Sequence, residues 1–157
     1  MVADDSAIQH RSLTEGAELL QKTVVLHSNV PFERNKGGAT YQTLVGDEQG
    51  STPIRVGIQS SPPGYKTPLH SHPYMEVLTV LEGKGQASIA GNEALIQLEP
   101  GVTLVVPADT PHWFIATGNQ LLKILGIHAS PHRLVRVLDQ SDDGRGDRST
   151  PIESSPL

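Results

Sequence analysis

From about Thr23 to His128, apolar positions along this chain alternate with polar ones in pairs rather than in turns of three or four. Such runs cover Thr23–His27, Thr40–Val45, Ile54–Ser60, Met75–Leu81, Gln86–Ala90, Ala94–Leu98, Val102–Val106, His112–Ala116 and Leu121–His128, and each predicts a short strand. Polar turns separate them. Residues 46–51 join two of the strands, and Ala90-Gly91-Asn92-Glu93 reads as a tight hairpin, since Gly and Asn reach positive φ at low cost. No strand–helix–strand unit is visible, which disfavours a parallel α/β sheet. Short strands at short spacing predict an all-β barrel or sandwich.

The flanks read differently. Residues 12–22 predict a short helical turn, with Ser12 and Glu15 spaced as a capping box that Gly16 weakens. From Asp139 onward the chain has no aromatic residue and too few aliphatic ones to offset its ordering entropy, so a disordered tail is expected. Arg145-Gly146-Asp147 within it matches an adhesion tripeptide, a coincidence expected of so short a pattern. The expected organisation is an N-terminal extension over 1–22, a barrel over 23–138 and a tail over 139–157.

Composition fits one β domain. The chain has 157 residues, with 15 glycines and 12 prolines spread between the apolar runs. The net charge of −5 and the lack of a basic stripe argue against nucleic acid as a partner. No apolar run approaches the ~20 residues of a membrane helix. The first residues lack the basic and apolar regions of a secretory signal, so a cytoplasmic protein without membrane contact is expected. There is no cysteine, which excludes a disulfide framework, a thiolate metal site and a Cys nucleophile. Seven histidines remain to be explained.

Three residues with metal-binding side chains share one parity. His70, His72 and Glu76 point to one face if their segment stays extended, and Leu78 and Val80 continue that face into an apolar interior. A lone inward Glu is costly to bury, and two inward imidazoles add polar atoms that need partners. A divalent cation answers all three, because imidazole nitrogen and carboxylate oxygen suit Fe, Mn, Ni, Cu or Zn. His112, at the start of a strand after the turn Pro107-Ala108-Asp109-Thr110-Pro111, is a fourth candidate.

These residues resemble the cupin superfamily. Gly64, His70, His72, Glu76 and Gly83 stand at the spacings of the first cupin motif, and Gly101, Pro107 and His112 at those of the second. The resemblance covers roughly 40–137, with a short gap between the motifs as in small single-domain cupins. Two positions depart: Asp109 stands where the family usually has Gly, and Ala116 where it usually has Asn. Neither is a metal ligand in the family. The resemblance implies an all-β, RmlC-like double-stranded β-helix, or jelly roll. It also implies one divalent transition metal (Fe, Mn, Ni or Zn) on His70, His72, Glu76 and His112, with one or two coordination positions open.

Other residues are placed by parity or by proximity. Phe114 points inward with His112, as core or as pocket wall, and Trp113 points outward. Gln59 and Lys66 are candidates for the cavity mouth, and Leu78, Val80 and Phe114 for its walls. Glu76, Tyr74 and His128 are candidate catalytic groups; His128 shares the parity of Leu122 and Ile124, whereas Pro131 separates it from His132. His10 and His27 read as surface or packing residues. The opposite face of the motif strand carries Met75, Val77, Thr79 and Leu81, which a partner sheet or second subunit must cover, so a homodimer is expected.

The function expected is a metal-dependent enzyme on a small oxygenated organic substrate. Dioxygenase chemistry comes first, followed by decarboxylase, isomerase or lyase chemistry; the alternative is a non-catalytic ligand-binding or regulatory cupin.

Overall fold

The computed structural model describes residues 23–90 and 94–138. The helical turn expected over 12–22, the hairpin turn at 91–93 and the tail from 139 lie outside them. The chain divides between Pro31 and Phe32 into two units. In the first, the described residues hold a 3-10 turn at His27–Asn29 and no strand, so the strand expected over Thr23–His27 does not form. Val24, Val25 and Leu26 are exposed there. β-Branched residues favour a strand through packing against neighbours on a half-buried surface, and these pack on none.

The second unit is nearly all β. Its strands are β1 (Glu33–Arg34), β2 (Thr40–Val45), β3 (Arg55–Ser61), β4 (His70–Ser71), β5 (Glu76–Glu82), β6 (Lys84–Ile89), β7 (Ile96–Leu98), β8 (Thr103–Val106), β9 (His112–Thr117), β10 (Leu122–His128) and β11 (Arg136–Val137). They form a six-stranded sheet, β1-β2-β3-β10-β5-β8, and a five-stranded sheet, β11-β4-β9-β6-β7. Every pair is antiparallel. The all-β architecture is the one that the alternation predicts, and the two facing sheets are consistent with the jelly roll that the cupin resemblance implies. Among the described residues no helix is long and apolar enough to cross a membrane.

The core lies between the two sheets. Leu78, Val80, Leu104, Leu122 and Ile124 from one sheet meet Ala87, Leu98, Phe114 and Ala116 from the other. Leu122 is completely buried, and a side chain of that size contributes about 1.5–3 kcal/mol by leaving water. The inner face then changes character along both central strands. On β5 it runs Val80, Leu78, Glu76, and on β10 it runs Ile124, Gly126, His128, with Val80 opposite Ile124 and Glu76 opposite His128. One end of the barrel interior is therefore apolar and the other polar.

Two tight places depend on glycine. Gly83, at φ 80°, turns β5 into β6, and a Cβ there would lie 2.2 Å from the Leu121 carbonyl oxygen. Gly57 on β3 lets the Tyr41 ring cross the sheet; a Cβ would meet its hydroxyl at 2.2 Å. The outer face of the six-stranded sheet carries an apolar row across five strands, Val105–Val77–Ile127–Val56–Val45, each residue paired with the next.

Candidate metal centre and its cavity

The predicted ligands converge, although not along one strand. The segment from His70 does not stay extended. It leaves the five-stranded sheet after Ser71, bends through Pro73–Met75 and enters the six-stranded sheet at Glu76. His70 and His112 face each other as a register pair in one sheet, Glu76 and His128 in the other, and His72 stands on the crossing between them. Parity selects the right residues because both sheets point these side chains into the same interior.

One ligand atom from each of His70, His72, Glu76 and His112 lies within 4.8 Å of the others, with His72, Glu76 and His112 buried. The backbone fixes all three imidazoles in the same sense. Nδ1 of His70 donates to the Pro68 carbonyl at 2.8 Å, Nδ1 of His72 to Leu134 at 2.6 Å and Nδ1 of His112 to Thr110 at 2.9 Å. A carbonyl can only accept, so each Nδ1 carries its proton and Nε2 is left to face the centre. The turn that places His112 uses Asp109 at φ 56°, and its N–H donates to the His72 carbonyl. Asp therefore takes the left-handed conformation that the family gives to Gly.

This arrangement fits a cation. Nε2 of His112 lies 3.0 Å from Glu76 Oε2, and Nε2 of His72 lies 3.3 Å from the same oxygen without hydrogen-bond geometry, a buried nitrogen left without a partner. With Nδ1 protonated, an Nε2 lone pair opposes a carboxylate oxygen unless a positive charge lies between them. Burial, and His112 beside it, lower the His70 pKa to about 3, so His70 stays neutral and able to ligate. Burial pushes the Glu76 carboxyl up, yet the imidazoles of His112, His72 and His128 that face it outweigh burial and hold the group well below the usual carboxylate range. The cluster could therefore hold a divalent metal with nitrogen and oxygen ligands.

His128 stands on the other side of the carboxylate, with Nε2 3.4 Å from Glu76 Oε1 and Nδ1 buried without a partner. Burial lowers its pKa to about 4. It belongs to the cavity wall and not to the four-residue cluster.

The cluster opens into a cavity of about 500 Å³. Of the pocket residues expected from sequence, Gln59, Leu78 and Phe114 line it, while Val80 and Lys66 do not. Val80 faces inward but sits at the apolar end, within the packed core. Lys66 pairs with Ile115 alongside β9 and places its ammonium 3.9 Å from the Trp113 ring, over a separate shallow groove. Tyr74 is not on the cavity wall. Its hydroxyl donates to the Leu134 carbonyl at 3.2 Å and accepts from the Leu134 N–H at 2.9 Å, and its ring stacks on His72. Burial raises its pKa to about 12, so it remains a phenol. Tyr74 thus pins the segment whose carbonyl orients His72. Sequence reasoning did not find Tyr41, Arg133, Val135 and Arg136, which also line the cavity. β11 reaches it by pairing with β4, and no spacing rule marks that contact.

Residues 57–128 match the Cupin domain family. The barrel is a cupin domain. Among curated proteins, auxin-binding protein T92 of Nicotiana tabacum is 29% identical over 115 residues, which are 66% of this chain and 62% of that protein. The chain spans under two thirds of the length of the auxin-binding proteins T92 and T85 of Nicotiana tabacum and auxin-binding protein 1 of Arabidopsis thaliana. Protein SchB of Streptomyces halstedii is 26% identical over 136 residues, covering 87% of this chain and 94% of SchB. Among solved structures, the polyketide cyclase RemF from Streptomyces resistomycificus superposes with a TM-score of 0.65 at 22% identity, covering 76% of this chain and 87% of RemF. A likeness at that identity is one of fold.

Proposed function

We propose that this cupin is a metal-dependent enzyme acting on a small oxygenated organic molecule. His70, His72, Glu76 and His112 hold one divalent transition metal (Fe, Mn, Ni or Zn) at the polar end of the barrel. The observation that carries the reading is the shared tautomer: three backbone carbonyls fix three Nδ1 protons and turn three Nε2 atoms toward one buried carboxylate. A divalent ion held there supplies Lewis acidity toward a carbonyl or enolate oxygen, and ferrous iron in addition activates O₂.

The chain's own residues do the rest. Leu78, Phe114 and Ile124 exclude water and bind the apolar body of the substrate. Gly126 leaves space beside Glu76, its position being 3.9 Å from Oε1 for a would-be Cβ. His128 lines the cavity beside the Glu76 carboxylate, and its role in this reading is to exchange a proton with bound substrate. Tyr74 acts by position, through Leu134 and His72, and not on substrate.

The test is elemental analysis of the protein purified without added metal, with O₂ uptake over small phenols, diketones and keto acids. Stoichiometric iron with uptake supports the dioxygenase. Stoichiometric zinc, nickel or manganese without uptake directs the search to decarboxylase, isomerase and lyase reactions. Stoichiometric metal and ligand binding without turnover in any of these assays supports a second reading, a non-catalytic ligand-binding cupin, which the similarity to auxin-binding proteins favours.

The same chain is proposed to pair with a second copy through the outer face of the six-stranded sheet. Val105 in the apolar row is 58% exposed, and Met75 and Leu81 beside it are exposed too. Val105→Glu is expected to convert a dimer to a monomer in light scattering with metal content unchanged. A monomeric wild type contradicts it.

A further inference from the structure

We infer that the cavity takes a carboxylic acid and that Arg133 and Tyr41 hold its carboxylate. The inference rests on the cavity being the ligand site proposed above, and it adds a second anchoring point away from the metal ligands.

Arg133 lines the cavity, and its Nε is buried with no hydrogen-bond partner. Among the described residues its side chain makes no ion pair and no hydrogen bond; its guanidinium lies over the Tyr41 ring, 5.4 Å from the centroid. Stacking fixes the guanidinium but satisfies none of its N–H groups. Arg55, whose Nε is likewise without a partner, differs at its terminal nitrogens: one donates to Thr43 Oγ1 at 3.0 Å and the other pairs with Glu48 at 3.6 Å, whereas Arg133 has no such partner among the described residues. A guanidinium facing an enclosed space needs an acceptor, and a planar carboxylate matches two of its N–H groups at once.

Tyr41 is a second, independent pointer. It is 5% exposed and lines the same cavity, and its hydroxyl has no partner. A buried phenol without a partner costs free energy that a ligand oxygen would recover. Charge agrees with both. The chain carries a net charge of −5, yet the cavity wall holds Arg133 and Arg136 against a single carboxylate, Glu76, which three histidines already face. The remaining wall is apolar, so the acid has an apolar body.

The arginine is also held in place. Leu134, the next residue, is tied through its N–H and carbonyl to Tyr74 and through the same carbonyl to His72. The base of the Arg133 side chain is thereby fixed against the metal cluster.

Calorimetry with phenylacetate and phenylacetamide on the metal-loaded full chain tests the inference. Phenylacetate is expected to bind and the amide to bind at least roughly tenfold more weakly. Arg133→Met and Tyr41→Phe are each expected to weaken the acid roughly ten- to a hundredfold, leave the amide unchanged and leave one metal per chain. Arg133→Lys, which keeps the charge without the fork, is expected to fall between. Arg133→Met with wild-type affinity, an amide that binds as well as the acid, or a wild type that binds no acid overturns the inference. Repeating the titration on chelator-stripped protein separates it from the metal reading. If the wild type holds no metal, that reading fails, and the Arg133 dependence is still readable. If acid binding disappears with the metal but ignores Arg133→Met, the carboxylate sits on the ion and only the present inference falls.

Discussion

The metal cluster and the Tyr41–Arg133 wall share one cavity but are built in different ways. The cluster comes from two short stretches, 70–76 and 109–112, and each histidine is locked by a backbone carbonyl. The wall comes from β2 and from the segment before β11, which meet only in the folded barrel. The cluster gathers nitrogen and oxygen ligand atoms about one point, so it could hold an ion. The wall leaves donors facing space, so it needs a ligand. The difference teaches that a site's inorganic half can be local in sequence while its substrate-selecting half is assembled by tertiary pairing.

The comparison can be broken at their shared floor. Leu122→Ala, at a completely buried position, is expected to lower stability by about 2–5 kcal/mol and to loosen both regions together. Thermal unfolding measures it, and an unchanged melting temperature would show that the apolar end does not support the polar one. A smaller change tests the tie between them. Tyr74→Phe removes the hydroxyl that pins Leu134 and is expected to weaken metal affinity roughly ten- to a hundredfold, as loss of an outer-shell partner does. Unaltered affinity would mean that His72 keeps its orientation without this support.

The mildest test is acid. His70 in the cluster and His128 on the wall are both held neutral by burial, at pKa values of about 3 and about 4. Glu76 and His72 face both, His112 also faces His70, and Arg133 and Arg55 also face His128. Their folded pKa values lie below that of an unfolded histidine, ~6.5, so the unfolded chain takes up protons first as pH falls. Metal-free protein is therefore expected to keep its full stability above about pH 6.5 and to lose it progressively between there and about pH 3, the His128 share by about pH 4 and the His70 share by about pH 3. Denaturant midpoints that do not move across this window would contradict the neutral assignment.

Sequence carried the cluster further than the wall, for physical reasons. Period-two alternation located eight strands because one face of each is buried in the barrel. It failed over Thr23–His27, where the same residue types have no surface to pack on. The two-residue strands β1, β4 and β11 are too short to show any period. Parity placed His70, His72, Glu76 and His112 on the interior, but it reports a face and not a depth. Val80 is inward and lies in the core below the cavity. Lys66 was placed by proximity alone, and the ring of Trp113 holds it outside. Arg133 follows Pro131 in a segment with no alternation, and tertiary contacts bring it to the site: the bonds of Leu134 to Tyr74 and His72 and the pairing of β11 with β4.

Metal content measures the central claim most directly. Mass spectrometric elemental analysis of wild type and His72→Ala, each checked for a folded β barrel by circular dichroism, is expected to find one transition-metal ion per wild-type chain and close to none in the variant. A folded wild type that retains no metal after loading and desalting, or a His72→Ala variant that keeps its full complement, would contradict the account.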